Sequence, residues 1–249
     1  MYETAKKKVL VLVEGEKRDV GVMEKLFGVY PELDANYQIV PYRTNIYVLY
    51  NDYFNNNDTP GDLDLLQILK SREQDPEQKK IFDDRYTDIL LIFDLDPHDT
   101  MFTEEKIRRL QAHFCESSDM GKLYLSYPMI EAFYHMSDIP DDDYQNRTVS
   151  IDELQQKKYK ERVHKETRGN DYNKYITGRS DLNYVVLENI RKAYRLLEQD
   201  VEVVNKWREI DLSGVLDKQL GFLQEHYLHV LCTCVIYIYD YNCELLFKD

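Results

Sequence analysis

Two apolar runs, KVLVLVEG at residues 8–15 and DILLIFDLDPHD at residues 88–99, each stop abruptly on acid. Val9 to Val13 and Ile89 to Phe93 are uninterrupted. Runs of this kind mark strands buried on both faces, because a strand with one wet face alternates instead. Such strands belong to parallel sheets covered by helices. The intervening chain agrees. Val20, Met23, Leu26 and Phe27 give a helix after the first run, ending near Gly28. NYQIVPYR (36–43) gives a second strand, which Pro41 pushes toward an edge or a strand end. TNIYVLYNDYF and LDLLQILKSRE are helix-like and separated by the turn-rich NNNDTPGD, and REQDPEQKK reads as a solvated linker. FTEEKIRRLQAHF has helical spacing, with Thr103 and then Glu104 and Glu105 suited to its start. GKLYLSYP (121–128) is the last strand, and MIEAFYHM after it looks helical. This order predicts an α/β domain with a mainly parallel sheet over residues 1–140, carrying a helical insertion at about 44–80. IPDDDYQNRT marks a boundary. From 150 onward only helical patterns occur (SIDELQQKKYKERVHKE, DLNYVVLENIRKAYRLLEQD, SGVLDKQLGFLQEHYLHVLCTCVIYIY), so 141–249 is expected to be an α-helical C-terminal region.

A chain of 249 residues with 43% hydrophobic and 31% charged residues buries a sizeable core. The apolar run near the N-terminus is too short for a secretory h-region, and LHVLCTCVIYIYDY falls short of a membrane helix. No membrane association and a cytoplasmic location are therefore expected. Cys115, Cys232, Cys234 and Cys243 match no disulfide or zinc spacing, and the C-x-C at 232–234 reads as core packing. The net charge of −14 argues against a lone, tight nucleic-acid binder, since phosphate binding draws on lysine and arginine. An acidic protein can still cut nucleic acid where divalent cations neutralise the site or a partner supplies the grip.

In open α/β sheets the functional crevice lies at the carboxyl ends of the strands. Glu14 ends one buried strand, Asp94 and Asp96 end another, and Glu131 lies just past a third. If the strands are parallel and adjacent, all four carboxylates meet at one edge. They would repel by about several kcal/mol unless something positive sits among them, and hard cations such as Mg²⁺ take oxygen ligands of this sort. Acidic residues after strands also serve as helix caps and turn formers, so any one of them alone has a structural reading.

VLVEGEK at 11–17, with IFDLD at 92–96, resembles the TOPRIM domain of topoisomerases, primases and OLD-type nucleases, whose signature is a strand-end glutamate followed later by D-x-D. SYPMIEAFYH at 126–135 resembles the S-N-P-x-x-E-x-W segment of small stand-alone TOPRIM proteins of the RloB-like and PARIS-effector sort. The likeness covers about residues 8–137. Arg18-Asp19 stand where Thr-Glu is more usual, and Tyr127 where asparagine is common. The resemblance implies a Rossmann-like fold and Mg²⁺-dependent phosphodiester chemistry, with Mn²⁺ able to substitute. Glu14 would be general acid/base or ligand, Asp94 and Asp96 would hold the metal, and Glu131 would complete a first or second metal position. It further implies an antiviral phage-defence toxin effector, an endonuclease acting on RNA (tRNA included) or DNA, controlled by an ABC-type ATPase partner and often dimeric. The alternatives are a catalytically silent TOPRIM-fold module that binds such an ATPase, and nucleotidyl transfer as in primases, for which no zinc-binding cysteines or polymerase extension are present.

The basic stretch KKYKERVHKETR at 157–168 is a local reversal of sign. Lys157, Lys158, Lys160, Arg162 and Lys165 are candidates for gripping a phosphate backbone, as is Lys17 beside the first turn. The competing reading is a surface helix with pairs such as Lys157–Glu161 and Arg162–Glu166. Arg179 in TGRSD is a weaker candidate to reach the crevice, and His98 in DPHD reads as a loop histidine before a proton donor. QEHYLH lacks H-E-x-x-H spacing, and no G-x-x-x-x-G-K-[ST] occurs, so ATP hydrolysis would come from a partner.

Overall fold

The computed structural model describes residues 6–54, 64–118, 120–169, 171–201 and 204–248; the expected turn NNNDTPGD lies outside them. In chain order the elements are β1 (Lys7–Val13), α1 (Arg18–Val29), β2 (Ala35–Pro41), α2 (Ile46–Phe54), α3 (Leu65–Arg72), α4 (Pro76–Lys79), β3 (Asp88–Asp94), α5 (Glu104–His113), β4 (Cys115–Glu116) and β5 (Gly121–Tyr127). There follow β6 (Thr148–Ser150), α6 (Ile151–Gln155), α7 (Tyr159–Glu166), α8 (Tyr172–Tyr175), α9 (Arg179–Leu196), α10 (Leu212–Gln224), β7 (Tyr227–His229), β8 (Leu231–Cys232) and α11 (Ile236–Asn242). The protein has a mixed α/β fold with a mostly parallel, Rossmann-like central sheet flanked by helices, as the buried runs predict.

The parallel strands stand in the order β2-β1-β3-β5. Val9–Val13 and Ile89–Phe93 are fully or almost fully buried, which is why the runs need no polar alternation. β2 is the edge strand and ends on Pro41, where a missing N–H costs no ladder bond. The chain leaves β1 toward β2 on one side and comes back to β3 on the other. Right-handed crossovers therefore put α1 on one face and α2, α3 and α5 on the other. Accordingly α1 packs with α9, and α2 packs with α3 and α5. The gap between β1 and β3 is the topological switch point, and their carboxyl ends open there.

Three sequence expectations change. The stretch from 227 to 232 is strand, not helix: β7 pairs with β6, and β8 pairs with β5 beyond the point where β4 stops. A short apolar run is ambiguous between helix and strand, and the free edge of β5 decides it. His226, in the left-handed region at φ 66°, ends α10 and turns the chain into β7. MIEAFYHM forms only a 3-10 helix, Ile130–Tyr134. REQDPEQKK is solvated as expected, yet Pro76–Lys79 is a helical turn, capped by Asp75 accepting from the Glu77 N–H at 2.8 Å. The composition change near residue 140 is real, but β8 from beyond it completes the sheet, and one hydrophobic core runs from Val9 to Leu246.

Candidate functional site

Register brings the acids together. Val13 stands opposite Ile92, and Asp94 opposite Ser126, so β1, β3 and β5 all finish at one edge. The Glu14 N–H donates to the Ile92 carbonyl at 3.2 Å, and the Asp94 N–H donates to Glu14 Oε2 at 3.1 Å. Glu14 is thus tied to β3 by backbone and side chain. Glu14, Asp94 and Glu131 line a cleft of about 660 Å³ together with Gly15, Lys17, Arg18, Asp19, Lys160 and Tyr172. An adjoining lobe of about 370 Å³ shares Glu14, Asp94 and Lys160 and adds Asp96, His98, Lys157 and Tyr159. Glu14 and Asp94 thus line both lobes, Glu131 the main cleft and Asp96 the adjoining lobe, so the four expected carboxylates lie along the carboxyl ends of β1, β3 and β5.

Asp19 is a fifth acid that the strand-end pattern does not reveal. It lies in the first turn of α1, buried, and takes the Gly15 N–H. The approach is close: a Cβ on Gly15 would stand 2.7 Å from Asp19 Oδ2, so any larger residue beside Glu14 would push the Asp19 carboxyl aside. Asp99, whose charge helps raise Asp96, accepts from the Met101 N–H and from Asn45 Nδ2, both at 2.7 Å, which fixes the loop. Asp96 is held at φ 40°, in the left-handed region that asparagine and aspartate tolerate best.

Burial pushes the Glu14 carboxyl up to about 8, with the charge of Asp96 second. Burial also raises Asp94 well above the carboxylate range, helped by Glu14 and Asp96. Asp96 and Asp19 are raised too, in both cases by burial first. Glu131 is 1% exposed. Its Oε1 is paired with the Arg18 guanidinium and, at 3.3 Å, with Lys160 Nζ, while its Oε2 is buried without a hydrogen-bond partner.

The expected basic helix is broken. Lys157 adopts φ 57°, separating α6 from α7, and this break directs Lys157 and Lys160 to the cleft. Lys158 and Lys165 are exposed and lie outside the cleft lining. Arg162 lies outside the cleft lining, where it pairs with Glu153 at 2.7 Å and Glu166 at 3.4 Å and donates to the Thr148 carbonyl at 2.6 Å. Arg179 binds Glu32 at 2.7 Å and the Leu245 carbonyl at 3.0 Å, near the amino end of β2 and away from the crevice. Lys17 lines the cleft as expected. α7 is anchored by buried His135, whose Nδ1 meets the Tyr159 hydroxyl at 3.1 Å and whose Nε2 meets Glu166 at 2.7 Å. Burial, then the Arg147 and Arg162 charges, holds His135 down to about 2, so the ring is neutral and donates to Glu166.

The donor set is mainly carboxylate oxygen, the chemistry that hard divalent cations take, with the His98 ring in the adjoining lobe; Glu131 Oε2 and His98 Nδ1 are both buried without a hydrogen-bond partner. Among the described residues, no three His, Cys, Asp or Glu side chains stand ready-spaced to enclose an ion. Binding one would require the carboxylates to rotate inward. The cysteines are free thiols, with Cys232 and Cys234 buried, and no helix among the described residues is long and apolar enough to cross a membrane. No family model, curated protein or solved structure compared with the chain matches it.

Proposed function

We propose that the crevice at the carboxyl ends of β1, β3 and β5 is the site of a Mg²⁺-dependent endonuclease of TOPRIM type. The observation that most supports this reading is the gathering of Glu14, Asp94, Asp96 and Glu131 along one cleft at the carboxyl ends of β1, β3 and β5, with the first three raised by burial and by neighbouring carboxylates. A fold does not collect buried like charges for stability, because each costs desolvation as well as repulsion. Glu14, Asp94, Asp96 and Glu131 would hold Mg²⁺ or Mn²⁺. The cation, when bound, supplies charge stabilisation of an in-line displacement and a nucleophile at neutral pH. Lys17, Lys157 and Lys160 bind and orient the phosphodiester from the cleft wall, and Glu14, whose carboxyl burial raises to about 8, moves the proton. The substrate is RNA or DNA, and an ATPase partner or a second copy would make up the grip that a chain of net charge −14 lacks.

The test is cleavage of total tRNA and of plasmid DNA with Mg²⁺ or Mn²⁺, comparing wild type with Glu14→Ala and Asp94→Ala. Metal-dependent cutting that falls at least about 100-fold in both variants is expected. A second reading, a silent module that serves a partner, draws on one observation: Arg18 and Lys160 already neutralise Glu131. Wild-type protein that cuts neither polymer with either cation favours it.

A further inference from the structure

Lys160 occupies a position that the nuclease reading alone does not explain. Its ammonium is 3.3 Å from Glu131 Oε1, although Glu131 already has the Arg18 guanidinium on that oxygen. Lys160 also lines both the main cleft and the adjoining lobe, the only lysine among the described residues to do so, and its charge acts on Glu14, Asp19 and Asp96. The two partners differ sharply in freedom. Glu131 is 1% exposed and fixed, whereas the Lys160 side chain is 62% exposed on a flexible stem. An exposed ammonium leaves a pair at little cost, while a buried carboxylate stripped of a counter-ion is costly unless another cation takes over.

We propose that Lys160 is an internal counter-ion that stands in for a divalent cation among these carboxylates and is exchanged for it. This rests on the metal-site reading above. In the exchange ion pairs are remade and the acids that hold protons release them to solvent: the ammonium leaves Glu131, a divalent cation takes up the carboxylates, and Lys160 remains on the wall of the same cleft, facing whatever anion enters. Arg18, on α1, stays on Glu131 throughout and keeps it oriented. The break at Lys157 and the His135–Tyr159 contact set where Lys160 stands, so α7 fixes the reach of the exchange without forcing the ammonium to stay.

The experiment is Mn²⁺ binding to the full chain, read from the spin-resonance signal of free Mn²⁺, with no nucleic acid present. Wild type, Lys160→Met, Lys160→Arg and Lys157→Met are compared, with unfolding temperatures confirming that each is folded. Lys160→Met is expected to bind Mn²⁺ about threefold to tenfold tighter than wild type, since a competing positive charge is gone. Lys160→Arg is expected to stay close to wild type and Lys157→Met to change less than Lys160→Met, because Lys157 makes no pair with Glu131. Equal or weaker binding by Lys160→Met, or an equal gain in Lys157→Met, overturns the exchange while leaving the metal site intact. Absence of Mn²⁺ binding in every form overturns the metal site itself and the exchange with it.

Discussion

Asp94 shows the conflict between stability and chemistry most clearly, because it ends a fully buried strand beside Glu14 and Asp96 and its carboxyl is raised well above the usual range. Asn is nearly isosteric and uncharged. Asp94→Asn should therefore raise the unfolding temperature of the metal-free protein by about 2–4 °C, as relief of about 1 kcal/mol does in a chain this size. The same change should lower metal-dependent cleavage at least about 100-fold. Calorimetry and a cleavage assay on one preparation check both halves. A variant that loses stability and keeps activity would place Asp94 among ordinary structural acids. Opposed effects of this kind are what a functional site imposes on its fold.

At the scale of elements, the cleft depends on how α8 meets α1. Gly21 lies inside α1, where alanine would ordinarily stabilise a helix by about 1 kcal/mol. Here a Cβ would stand 1.9 Å from the Tyr172 hydroxyl, so the Tyr172 ring must shift to admit it. Gly21→Ala is expected to destabilise by about 1–3 kcal/mol in urea unfolding. Adding Tyr172→Phe, which removes the clashing oxygen, should recover most of that loss; additive losses in the double variant would refute the contact. A second junction is Asn189 of α9. Its Oδ1 accepts from the Tyr144 hydroxyl at 2.7 Å and from the Cys232 N–H at 2.8 Å, and its Nδ2 donates to the Val185 carbonyl at 2.8 Å. Asn189→Leu strands these buried groups. A loss of about 2–4 kcal/mol is expected in the same urea measurement, since β8 would dock on β5 with an unpaired N–H.

For the molecule as a whole, the raised carboxyls set a pH dependence. Glu14 has an ordinary value of 4.5 and is raised to about 8 in the fold, so between those values the folded state holds a proton that the unfolded chain has released. Stability from this group is complete below about 4.5 and is lost as pH rises through about 8. Metal-free protein should therefore unfold at a lower temperature at pH 8 than at pH 6. Mg²⁺ acts in the other sense: it binds the deprotonated form, so its stabilising effect should be larger at pH 8, with proton release on binding. Thermal scans at the two pH values, with Mg²⁺ and with chelator, read this directly. An unfolding temperature that rises from pH 6 to pH 8 without metal would contradict the burial of these acids.

The apolar runs ending at Glu14 and Asp94 were legible as buried parallel strands because complete burial removes polar alternation, a property of the local sequence. Their acids were legible as neighbours because parallel strands end on one side of the sheet. Pro41 at a strand end and Thr103 at the start of α5, accepting from the Lys106 N–H at 3.2 Å, were readable for the same local reasons. What lay beyond reach depended on contacts between distant residues. Asp19 enters the site because Gly15 leaves it room, and Arg18 because Glu131, more than a hundred residues on, needs a counter-ion. β8 is a strand because β5 has a free edge. Lys160 and Arg162 share α7 and are divided only by the acids each meets. Sequence determined which segments are buried and where their charges end, since both follow from each segment's own pattern. Tertiary structure alone decided which of those charges meet, because pairing depends on the distances that packing sets.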